Sequence, residues 1–163
     1  MAKLRFDTYA LMLAVLLWGV LLGGVVYSNS FVMPAFLSDL PSSAVVVNGP
    51  YAINEAPFWM AIHPLVVLST LIALIANWRN LARRKMIAVS LGVYVVVLVV
   101  TAVYFVPELL AFAASPQSNV SAAEWAPRAS RWRLFSWVRA GVMFAIFLPV
   151  LFALVTEQED MPR

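Results

Sequence analysis

Residues 86–113 read MIAVSLGVYVVVLVVTAVYFVPELLAFA, with Glu108 as the sole charged side chain. The core of this stretch, Val93 to Val100, consists mostly of valine, a residue type that favours strands. Propensity alone therefore allows a strand. In lipid, an isolated strand would leave its backbone N–H and C=O groups unpaired, whereas a helix satisfies them internally. The stretch exceeds the roughly 20 residues needed to cross hydrocarbon, so it reads as a transmembrane helix that tilts or extends beyond the bilayer. Pro107 is expected to bend it near its end.

Three more stretches of this kind flank it. They run from about Thr8 to Met33, stopping at Pro34, from Pro57 to Trp78, and from Leu134 to Val155. The expected fold class is all-α, a four-helix transmembrane bundle forming a single integral membrane domain over residues 1–163. Composition agrees. The 163 residues are 63% hydrophobic and 12% charged, against about a quarter charged in soluble domains. Lys3 and Arg5 before an apolar run resemble a signal peptide, but the run is too long and no small-x-small cleavage site follows, so it reads as a retained first helix. Cysteine is absent, which excludes disulfides, thiolate metal sites, iron–sulfur clusters and thiol redox chemistry.

The net charge of +3 does not point to nucleic acid, because the basic residues collect at the ends of the apolar stretches. Lys3, Arg5, Arg79, Arg83, Arg84, Lys85 and Arg163 fall on one side, and Arg128, Arg131 and Arg133 on the other. The bias predicts cytoplasmic termini in a multi-pass protein of the plasma (inner) membrane. Two loops then face outward. Residues 35–56 form a long connector expected to lie over the helices as a lid. Residues 115–133 carry Trp125 and Trp132, expected as interfacial anchors.

Helical spacing groups the polar and small residues into one row per segment. The rows are Gly19, Gly23, Tyr27 and Ser30; Glu55, Trp59, His63, Thr70 and Asn77; Ser90, Tyr94, Thr101, Tyr104 and Glu108; and Trp132, Ser136 and Arg139. Gly19 and Gly23 form a small-xxx-small pair suited to close helix approach. At 1.5 Å per residue, His63 lies about 9 Å and Arg139 about 8 Å inside their segments from the outward face. Tyr104 and Glu108 reach that level from below, as does Tyr27.

Ionisable groups at membrane depth pair or do chemistry. The candidate catalytic residues are His63, Arg139, Glu108 and Tyr104. Arg139 either snorkels to the headgroups or forms a salt bridge with Glu108. His63, the single histidine, is a hydrogen-bonded core residue, a proton-transfer group, one axial haem ligand, or one ligand of a metal site with Glu108 and Glu55. Proton transfer asks least of the sequence. No metal set is expected, and the residues name no cofactor. Asn54, Trp59, Tyr27, Trp132 and Trp137 are candidate pocket or structural residues for a flat, hydrophobic molecule.

Several of these residues form a recognisable pattern. Gly23-Gly24-Val25-Val26-Tyr27 precedes Val32-Met33-Pro34, Ile53-Asn54 stands before the second segment, a basic hinge follows that segment, and Trp132, Trp137 and Arg139 open the fourth. The chain thereby resembles the anthrone-oxygenase-like family of small four-helix integral membrane proteins over about Gly23 to Val155. Asn54, Trp132 and Arg139 match by position. Ser136-Trp137-Val138-Arg139 stands where members usually carry an Asn-His-x-Arg type motif. The resemblance implies oxidoreductase or oxygenase-like chemistry on a lipophilic aromatic or quinone-like molecule. In that reading His63 moves protons while Arg139 and Tyr104 polarise a carbonyl or phenolate oxygen. The rival expectation is a non-enzymatic accessory or assembly subunit whose polar cluster locks the bundle. The lipid bilayer is the expected partner in either case, with room for a homo-oligomer or another membrane protein.

Overall fold

The computed structural model describes residues 6–156. Four helices dominate it: α1 (Phe6–Phe36), α2 (Ala56–Ala76), α3 (Leu81–Ala113) and α4 (Ala122–Val155). Each is long and apolar enough to cross a membrane. The valine run of residues 93–100 is helical, and no strand occurs among the described residues.

The helices share one apolar core. Leu11, Trp18 and Leu21 of α1, Val66 and Ala73 of α2, Ile87 and Tyr94 of α3, and Met143 and Val150 of α4 are buried together. α1 packs on α2 and α4, while α3 packs on α4 and α2. The end nearest the described termini is tied by polar groups. Asn77 Nδ2 donates to the Asp7 carbonyl (3.2 Å), and Arg83 Nη1 donates to Asn77 Oδ1 (3.2 Å). Arg83 Nε and Nη2 both donate to the Thr156 carbonyl, at 3.2 and 2.8 Å, just beyond the C-terminus of α4. A cation there also complements the negative end of the helix dipole.

A second core closes the far end. Val32, Met33 and Phe36 of α1, Leu40 and Ala44 of the α1–α2 connection, Phe105 and Phe112 of α3, and Trp125 and Trp132 of α4 are buried together. The connection thus packs over the helix ends, held partly by Asn48 Nδ2 donating to the Ala113 carbonyl (2.6 Å).

Four expectations are corrected. α1 runs through Pro34 to Phe36 instead of stopping there. Its last turns contain a π-helical segment, Ser28–Val32, in which the Met33 N–H reaches back five residues to the Ser28 carbonyl. The same device recurs in α3, where Thr101–Phe105 is π-helical, Val106 N–H bonds the Thr101 carbonyl, and Pro107 follows. In both places a proline ring would collide with the carbonyl four residues back, and a widened turn relieves that clash without ending the helix. Second, α4 begins at Ala122, not near Leu134. Ser121 and Glu124 form a capping box that starts it within the Ser/Ala/Pro-rich stretch. Third, Trp125 and Trp132 are buried, each 3% exposed, and are not surface anchors. With Ala129 they form a helical stripe that packs on Phe105 and Phe112. Fourth, the close approach of α1 and α2 is at Gly24, not at Gly19 or Gly23. A Cβ on Gly24 would lie 2.5 Å from Phe58, whereas one on Gly19 or Gly23 meets nothing within 4 Å.

Candidate functional site

A cavity of about 650 Å³ lies at the seam between the two cores. Its size is within the range of small-molecule sites, roughly 300–1,000 Å³. Its wall is mostly apolar, with Val25, Val32, Met60, Val97, Leu109 and Met143 among its residues. A few polar groups converge on it, and each is placed by an identifiable feature of its helix.

The π turn of α1 presents Ser28 and Asn29, and the π turn of α3 presents Thr101 and Phe105. Ser136 and Arg139 of α4 bridge them. Ser136 Oγ donates to Asn29 Oδ1 (2.9 Å), Arg139 Nη2 donates to Ser136 Oγ (3.2 Å), and Arg139 Nη1 donates to Thr101 Oγ1 (3.2 Å). The Arg139 guanidinium also lies over the Phe105 ring, 4.0 Å from its centroid. Among the described residues no carboxylate lies within ion-pair distance of Arg139. Asn29 Nδ2 and Arg139 Nε are buried donors without a hydrogen-bond partner among the described residues.

The α2 side of the wall supplies Glu55, Trp59 and His63, one turn apart from each other. Glu55 Oε2 accepts from Ser28 Oγ at 2.8 Å, near the start of α2. His63 sits about 12 Å further along the helix. Its Nδ1 is 2.7 Å from the Tyr94 hydroxyl, and Trp59 stacks on its ring at 5.7 Å. Tyr94 is fully buried and packs on Trp18, whose Nε1 donates to Thr70 Oγ1 (3.1 Å). The imidazole is thereby oriented from both sides.

The residues expected from sequence divide into two groups. His63, Arg139, Asn54, Trp59 and Trp132 line the cavity. Asn54 Oδ1 accepts from the Ala56 N–H (3.1 Å) at the start of α2, and Trp132 Nε1 donates to the Phe105 carbonyl (3.2 Å). Glu108, Tyr104, Tyr27 and Trp137 do not line it. The Arg139–Glu108 salt bridge, one of the two readings of Arg139, is replaced by one between Arg128 Nη2 and Glu108 Oε1 (2.9 Å), with Arg128 also over the Trp125 ring. Tyr104 packs against Phe105 and Phe135. Tyr27 and Trp137 are 55% and 45% exposed on the outer surface. His63, Glu55 and Glu108 do not converge, and no group of three His, Asp or Glu side chains placed to hold a metal occurs among the described residues.

The π turn in α3 explains the two losses on that helix. One extra residue in the turn rotates everything beyond it by about 100°. The cavity-lining series therefore runs Val97, Thr101, Phe105, Leu109, and Tyr104 and Glu108 turn away. Sequence reasoning missed Asn29. Its signal was Ser28-Asn29-Ser30, three consecutive polar residues in an otherwise apolar segment.

Comparison of the chain with protein-family models, with curated proteins and with solved structures gives no match. The site and the four membrane-length helices therefore carry the functional reading.

Proposed function

We propose that the chain is a multi-pass protein of the plasma (inner) membrane, built as a four-helix bundle, whose cavity binds a lipophilic aromatic or quinone-like molecule bearing a carbonyl or phenolate oxygen. The observation that carries this reading is Arg139. A charged guanidinium is held in an apolar wall by two hydroxyls and a ring face, with no carboxylate within ion-pair distance among the described residues. An arginine at membrane depth costs up to roughly 3 kcal/mol on insertion scales, and a bound oxygen with negative charge or a strong dipole would offset that cost. Trp59 and Phe105 supply aromatic faces for a flat ring. With the termini on the cytoplasmic side, as the Lys/Arg distribution suggests, the cavity belongs to the outward half.

The chemistry we assign is oxidoreductase-like. Resemblance to the anthrone-oxygenase-like family supports the reaction class. The side chains support two elementary roles within it. Arg139 polarises the ligand oxygen, and His63, oriented through Nδ1 by Tyr94, exchanges a proton with the ligand. Tyr104, turned out of the cavity, has no part in this reading.

The hydrogen-bond chain from Asn29 through Ser136 and Arg139 to Thr101 favours a second reading. It joins α1, α4 and α3, and so could serve as the lock of a non-enzymatic accessory subunit. Arg139→Met separates the two. A ligand site predicts an unchanged or raised melting temperature, because an uncompensated charge leaves the apolar wall, together with a loss of quinone binding of about ten-fold or more. A melting temperature lowered by several degrees with binding intact would reject the site and leave the lock.

A further inference from the structure

On the outer surface between α3 and α4 lies a second concavity, a groove of about 440 Å³. Val96 and Val100 of α3 and Val138 and Val142 of α4 form its sides, and all four are exposed. Among the groove's lining residues Arg139 is the one with a charged group. Three residues, Val97, Phe105 and Arg139, line both the groove and the cavity. The two spaces therefore adjoin at these side chains, and Phe105 belongs to the π turn of α3. An apolar groove on a membrane helix pair is unremarkable by itself. This one ends on an arginine that has no ion-pair partner among the described residues, and it shares that arginine with the cavity.

We propose that the groove holds the hydrocarbon tail of the molecule whose oxygen-bearing head occupies the cavity, the two parts meeting where Val97, Phe105 and Arg139 line both spaces. The ligand is then an amphiphile: a flat polar head with an aliphatic or isoprenoid chain, reached laterally from the bilayer between α3 and α4. This rests on the reading of the cavity as a ligand site. The three lining residues common to groove and cavity and the complementarity of Arg139 to an oxygen head favour that occupant over an unrelated lipid chain. The valines offer the chain only apolar contact, which suits hydrocarbon and discriminates against a polar substituent.

The test uses the full chain in detergent with two quinones, tail-less duroquinone and a decyl-tailed benzoquinone. Binding is followed by quenching of intrinsic tryptophan fluorescence, to which Trp59 and Trp132 in the cavity wall contribute. The double variant Val100→Phe/Val138→Phe fills the groove at exposed positions, and its melting temperature serves as the control for folding. The expected result is about ten-fold weaker binding of the decyl quinone with duroquinone unchanged. The proposal is overturned if the variant binds both quinones as the wild type does, or loses both equally. If wild-type protein binds neither quinone, or Arg139→Met binds both unchanged, the cavity reading itself fails and the groove proposal falls with it.

Discussion

The His63 imidazole and the Tyr94 hydroxyl are joined across α2 and α3 by a 2.7 Å hydrogen bond at the base of the cavity. This bond connects the cavity wall to the buried core, because Tyr94 packs on Trp18 and is inaccessible to solvent. Tyr94→Phe keeps the ring and removes only the hydroxyl. The expected cost is about 1 kcal/mol of stability. The freed imidazole should also lose its fixed orientation, so any proton-dependent turnover should fall further than ligand affinity does. Thermal unfolding and a comparison of turnover with binding check both parts.

Glu108 and Arg128 form a partly exposed pair at the end away from the described termini, separate from the cavity wall. Exposed pairs contribute roughly 0–1 kcal/mol. Glu108→Gln should therefore shift the melting temperature slightly and leave quinone affinity unchanged. A large loss of binding in this variant, measured by tryptophan quenching, would mean that Glu108, beyond the α3 π turn, reaches the cavity after all.

Gly23 and Gly24 are neighbours in α1 with opposite surroundings. A Cβ at Gly23 enters open space, while one at Gly24 meets the Phe58 ring. Replacing a helical glycine by alanine gains up to about 1 kcal/mol where space allows. Gly23→Ala should accordingly raise the melting temperature. Gly24→Ala should fall below it, because Phe58 must move. Equal gains in the two variants would disprove the close packing of α1 on α2 at Gly24.

Arg83 ties the end nearest the described termini through Asn77 and the Thr156 carbonyl. Hydrogen bonds from a charged donor contribute roughly 1.5–3 kcal/mol. Arg83→Met should lower stability by about 2–3 kcal/mol in a denaturation assay, with cavity affinity preserved in the folded fraction. Loss of affinity without loss of stability would link the two ends of the molecule in a way the packing does not suggest.

Much of the fold was legible in the chain. Four apolar stretches of membrane length required helices, because lipid offers no partner for an unpaired backbone group. The valine run of residues 93–100 could not override that requirement. His63, Arg139 and Trp59 were legible as site candidates because polar and aromatic side chains at membrane depth are costly and few. Helix ends were less legible. Pro34 reads as a stop and residues 115–133 read as a loop, yet a π turn carries α1 through the proline and a capping box starts α4 at Ala122.

By itself, then, the sequence determined the number of membrane-length helices, and the identity of the polar residues that a bilayer would not leave alone. Periodicity at 3.6 residues per turn places side chains correctly only while that period holds. Two widened turns break it at Ser28–Val32 and Thr101–Phe105. Tertiary packing alone decided that Phe105 and Leu109, not Tyr104 and Glu108, face the cavity. It also decided that Glu108 pairs with Arg128, and that His63 meets Tyr94. The physical reason is register: one inserted residue rotates the rest of a helix by about 100°, and which partners then meet depends on where the neighbouring helices lie.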